Sequence, residues 1–91
     1  IHVTTGRMLL AEYSPALGDV VVMLDGELAC SGLVERFGDL MIYWGAQLGL
    51  PDEVLMSGQL SETIEQIRVR RAGTRESRGW VMDTYLLRPP S

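Results

Sequence analysis

The sequence predicts an α+β fold: an antiparallel sheet of four to six strands with one main helix packed on one face. Three observations carry this expectation. An Asp-Gly pair sits between two short apolar runs at 20–30, the stretch 31–50 has helical periodicity, and the C-terminal quarter alternates and is rich in Trp, Val, Tyr and Leu. With 91 residues, 46% hydrophobic and 22% charged, the chain can bury one core and not two. It reads as one small domain over 1–91 with a tail at 89–91. Opening at Ile1 without an initiator Met, it could be excised from a longer chain.

Taken in order, His2 to Thr5 suits an edge strand, and Arg7 to Tyr13 a second segment ending at the turns Ser14-Pro15 and Gly18-Asp19. Val20 to Leu24 and Glu27 to Cys30 flank Asp25-Gly26, the signature of a two-residue type I′ hairpin with a positive φ at Gly26. Ser31 to Leu50 then reads as the long helix. At 100° per residue Leu33, Val34, Phe37, Leu40, Met41, Trp44 and Leu48 form its core stripe. The far side begins with Glu35, Arg36 and Asp39 but continues with Ile42, Tyr43, Ala46 and Leu50, so its second half needs cover on both sides.

Gly38, Gly45 and Gly49 weaken that helix by roughly 2–3 kcal/mol in propensity. The rival reading makes Leu40 to Trp44 a short buried strand between Gly38 and Gly45. After Pro51-Asp52-Glu53, Val54-Leu55-Met56 fits either a helical turn or a strand. Thr63 to Arg71 and Gly79 to Arg88 read as a second hairpin, with Ala72 to Arg78 as its projecting loop.

Charge is split along the chain. Residues 1–67 carry two arginines against ten carboxylates, and residues 68–91 six arginines against two. Arg68, Arg70, Arg71, Arg75 and Arg78 on the expected hairpin could meet an anionic partner, with Trp80 or Tyr85 stacking on an unpaired base. The acidic remainder argues against a polyanion, and pairing with Glu62, Glu65 and Glu76 is the competing account.

Catalytic and metal signatures are absent. His2 is terminal, a lone Cys30 without CxxC or His company suits a small buried thiol, and Asp25 and Glu27 are accounted for by the turn. A chain with one cysteine and no long apolar run points to a reducing, cytoplasmic compartment without membrane insertion. No cofactor or metal is expected.

These features favour a non-enzymatic protein–protein interaction or regulatory accessory domain. It would be a homo-oligomer, or bind a partner protein, through Ile42, Tyr43, Ala46 and Leu50. A nucleic-acid-binding module using the arginine hairpin is the alternative. A small enzyme or ligand carrier comes third, to be promoted by a polar pocket around Cys30 or Asp83.

Overall fold

Val20–Met23 and Met41–Ala46, rich in valine and aromatic residues that fit a pleated surface, lie on either side of the sheet's central strand. The computed structural model describes residues 1–79 and 81–90, Arg78 by its backbone alone. Its strands are β1 (His2–Thr5), β2 (Val20–Met23), β3 (Met41–Ala46), β4 (Val54–Gln59) and β5 (Asp83–Arg88). Its helices are α1 (Gly6–Glu12), α2 (Val34–Phe37) and α3 (Leu60–Arg78), with 3-10 turns at Pro15–Leu17 and Ala29–Leu33. The sheet order is β1-β2-β5-β3-β4, with β1 and β2 parallel and every other pair antiparallel. This is the α+β class, with α3 as the main helix on one face.

Alternation along the strands sorts the two faces. Val20 and Val22, Ile42, Trp44 and Ala46, and Tyr85 and Leu87 point to the helical side, where they join Leu9, Leu28, Leu33, Leu60, Ile64 and Ile67 in one buried cluster. Full burial of an aliphatic chain of this size contributes about 1.5–3 kcal/mol. The positions Leu60, Ile64, Ile67 and Arg71 recur at helical spacing and are all buried, which is why this segment is a helix rather than the strand expected from Thr63 to Arg71. The local alternation of Ile67 and Val69 misleads, because Val69 is 67% exposed. Ala72 to Arg78 continues α3 and is no loop. Gly79 ends the helix in a left-handed cap at φ 84, its N–H donating to Arg75 O.

Two further expectations are corrected. Asp25-Gly26 makes no hairpin: Gly26 has no positive φ, while Leu24 and Leu28 take φ 54 and 55. Asp25 instead accepts the backbone N–H groups of Glu27 and Ala29, turning the chain into the Ala29–Leu33 turn. The partners of β2 are β1 and β5, so distant pairing displaced the local signal.

The long helix Ser31 to Leu50 is likewise broken. It stops after Phe37, and Met41–Ala46 is the strand that the rival reading placed at Leu40 to Trp44, here paired on both sides. Interior glycines made the helix weak, and two neighbouring strands offered this apolar run a full ladder. The proposed interface falls apart with it. Ile42 and Ala46 are in the core, Tyr43 projects from the opposite face, and Leu50 lies in the loop after β3. Among the described residues, no helix is long and apolar enough to cross a membrane.

Candidate binding site at the Leu24 end of the sheet

Where β2 ends, the chain needs to leave the sheet and return beneath it, and the Asp25 side chain organises the exit. Its Oδ1 accepts Glu27 N–H at 3.2 Å and its Oδ2 accepts Ala29 N–H at 2.7 Å. The Tyr85 hydroxyl, reaching from β5, donates to Asp25 Oδ2 at 2.5 Å and accepts Cys30 N–H at 3.2 Å. From α3, Arg71 donates to the Asp25 carbonyl at 2.7 Å, and Arg75 to the Gly26 carbonyl at 3.1 Å.

Arg71 Nε also lies 2.9 Å from Asp83 Oδ2, an ion pair without a well-directed hydrogen bond at that nitrogen. Trp44 Nε1 donates to the same oxygen at 2.7 Å. One buried polar network thus joins the 24–30 loop, α3, β3 and β5. Its groups are engaged with one another, which is what makes burying charge tolerable. Gly6 completes the fit: a Cβ there would sit 2.4 Å from Asp25 Oδ1, so only glycine lets the start of α1 press against this carboxylate.

Burial sets the chemistry available. It pushes the Cys30 thiol up to about 12, with the Tyr85 hydroxyl opposing and the Asp25 charge reinforcing the shift. Burial, then the neighbouring Cys30, also raises the Tyr85 hydroxyl far above its ordinary value. At neutral pH Cys30 is a protonated thiol shut away from solvent, with no thiolate to attack a substrate. Among the described residues, no group of three or more His, Cys, Asp or Glu side chains could hold a metal ion.

Above this network three shallow clefts, of about 240, 230 and 250 Å³, meet at Leu24. One runs towards Gly6 and Arg7, one towards Val81 and Asp83, and one between Met23, Leu48 and Met82. Leu24 is 81% exposed. Gln47, whose N–H holds Met82 O at 2.9 Å, takes φ 55. It is 1% exposed, yet among the described residues neither side-chain amide atom has a hydrogen-bond partner. Leu24, Leu28 and Gln47 are the described non-glycine residues at positive φ, a conformation costing about 1–3 kcal/mol each that concentrates at functional sites. The arrangement can seat an apolar group over a rigid polar base.

The arginines do not gather on one projecting surface. Arg68 pairs with Glu65 on the helix, Arg71 is buried, Arg75 reaches the 24–30 loop, and Arg70 is exposed. The Arg78 side chain and Trp80 lie outside the described residues. Tyr85 is buried and unavailable for stacking. His2 Nε2 is 3.4 Å from Glu12 Oε1, and hydrogen bonds from Thr4 and then His2 hold the Glu12 carboxyl below its ordinary value.

Sequence reasoning passed over Asp25, Tyr85 and Arg71 as a unit and gave Gln47 no role. It did mark Cys30 and Asp83 as the place where a polar pocket would matter. The signal available for Arg71 was its helical spacing from Ile64 and Ile67, which puts a cation on a buried stripe.

No protein-family model matches the chain. A curated protein, the precorrin-6A synthase (deacetylating) of a Sinorhizobium species, is 42% identical over 88 residues, covering 97% of this chain and 33% of its own length. The crystal structure of a cobalamin synthesis related protein (CobF) from Corynebacterium diphtheriae matches with a TM-score of 0.90 at 37% identity, covering 99% of this chain and 37% of that one. The chain therefore spans about a third of the length of the proteins it resembles. These likenesses overturn the expectation of a non-enzymatic, self-associating accessory domain, because the similar proteins are named for a biosynthetic synthase and for cobalamin synthesis.

Proposed function

We propose that the chain serves cobalamin synthesis as part of a precorrin-6A synthase, a cytoplasmic enzyme, and that its own contribution is to bind and shape rather than to supply an acid, base or nucleophile. The observation that carries the reading is 42% identity sustained over 97% of the chain, with the fold shared at a TM-score of 0.90. The division of labour follows from the site. Cys30, Tyr85 and Asp25 hold one another beneath the surface and Asp83 is held by Trp44 and Arg71, while the cleft between Met23, Leu24, Leu48 and Met82 above them presents mainly apolar groups. A buried free thiol also accords with a reducing compartment.

The natural gene product that carries this sequence should form precorrin-6A from its precursor with release of acetate. Leu24→Asp places a charge where the three clefts meet, at a side chain too exposed to matter for folding. It should reduce that turnover at least tenfold with the melting temperature within about 2 °C of the parent, since exposed substitutions stay within roughly 0.5 kcal/mol. A gene product with no such turnover would remove the reading. Full turnover in Leu24→Asp would remove the site.

A further inference from the structure

We propose that the sheet face turned away from α3 is a docking surface for another part of the same polypeptide in a longer protein, a segment with an aliphatic face that closes the sheet as a second layer. The proposal needs only that this sequence is carried in a longer chain, as in the proteins it resembles, and is independent of precorrin chemistry.

The two faces of the sheet are finished differently. On the helical side, α3 buries Leu60, Ile64 and Ile67 and turns Glu62, Glu65, Arg68 and Arg70 outward, a surface ready for water. Across the opposite face, strand register lines up Val3, Val21, Leu86, Tyr43 and Ser57 as one row spanning all five strands. The adjoining row runs through Thr84, Gly45 and Leu55. Val3 is 61%, Tyr43 41% and Leu55 71% exposed.

Charge flanks these rows, where Arg88, opposite Met41, is paired with Asp19 at 3.0 Å and lies over the Tyr43 ring. Near the centre the Thr84 hydroxyl already donates to Val22 O at 2.8 Å, which leaves the Tyr43 and Ser57 hydroxyls as the polar groups on these rows. A groove of about 500 Å³ runs along this face. Gly45 forms part of it, and a Cβ there would sit 2.8 Å from Leu48 Cδ2 and 3.2 Å from Leu55 Cδ2. It is shaped to take side chains rather than to be flat.

Contiguous apolar surface of this kind marks an interaction site. The length of the similar proteins identifies the occupant: about two-thirds of each lies outside the part this chain matches, while the matched part is nearly all of this chain. A sheet with helices on both faces also covers this apolar surface.

Thiol labelling tests the proposal in the natural gene product that carries this sequence, at nanomolar concentration. Leu55→Cys on β4 and Val3→Cys on β1 probe the face, and Val69→Cys on the outer side of α3 serves as reference. Leu55 and Val69 are 71% and 67% exposed, so without cover the two cysteines react with maleimide at similar rates. Docking by the same polypeptide predicts that Leu55→Cys and Val3→Cys react at least tenfold more slowly than Val69→Cys, independently of protein concentration. Equal rates overturn the proposal. Protection that is lost on dilution also overturns it, assigning the face to a second molecule. If one probe variant misfolds, the other still decides the outcome.

Discussion

Removing one oxygen atom from Tyr85 should cost a large share of the stability of this fold. Tyr85→Phe keeps the ring in the core but deletes the hydroxyl that donates to Asp25 and accepts from Cys30 N–H. A hydrogen bond to a charged acceptor contributes about 1.5–3 kcal/mol, and a buried N–H left unpaired costs about 1–3 kcal/mol. Together they give roughly 3–5 kcal/mol, against total stabilities of about 5–15 kcal/mol for domains of this kind. With a urea m-value of about 1.5 kcal/mol/M, the unfolding midpoint should fall by about 2–3 M. Tyr43→Phe, the same change on the exposed sheet face, should change stability by less than about 0.5 kcal/mol. Equilibrium urea unfolding followed by tryptophan fluorescence measures both. A Tyr85→Phe midpoint within about 0.5 M of the parent would refute the claim that this network anchors the 24–30 loop.

Tyr13→Phe should have the opposite sign, because the Tyr13 hydroxyl is buried without a partner among the described residues; a gain of up to about 1 kcal/mol in the same urea assay is expected. Gly6→Ala drives a Cβ into Asp25 and should destabilise by about 1–3 kcal/mol, whereas Gly26→Ala, with open space around it and no positive φ, should be nearly neutral. Cys30 predicts an alkaline limb. Its folded pKa is raised from 9.0 to about 12, so its contribution is complete below pH 9 and is lost at about 1.4 kcal/mol per pH unit as pH rises towards 12. Cys30→Ala should flatten that limb in unfolding measured from pH 8 to 11. At the acid end, Asp19 is held below its ordinary value by the Arg88 hydrogen bond. Stability should therefore fall as pH drops below about 4, less steeply in Asp19→Asn.

Composition and periodicity made the fold class legible: 91 residues with several short β-rich runs and one helix-sized stripe allow little else. They did not locate the helix. Residues 31–50 carry the better helical stripe, yet its glycines leave a weak helix, and the 41–46 run gains more from pairing with β4 and β5. Residues 60–78 carry the real helix, where an arginine on the buried stripe and a misleading Ile67-x-Val69 alternation hid the pattern. The basic C-terminal quarter was visible as charge. Its meaning was not, because Arg71 and Arg75 are spent on carbonyls and Asp83 brought from elsewhere in the chain.

What the sequence determined by itself is local and additive: chain length, apolar content, the strand character of Val20–Met23, and the lack of any short-range metal or nucleotide motif. What the tertiary structure alone decided is every choice between competing partners. Asp25 could turn a hairpin or cap a buried loop, and it became a cap because Tyr85, 60 residues away, donates a hydroxyl to it. Contacts at that separation are chosen by the whole core at once, since each strand takes the neighbours that bury most and leave fewest polar groups unpaired. Nothing in the immediate neighbourhood of Asp25-Gly26 carries that information.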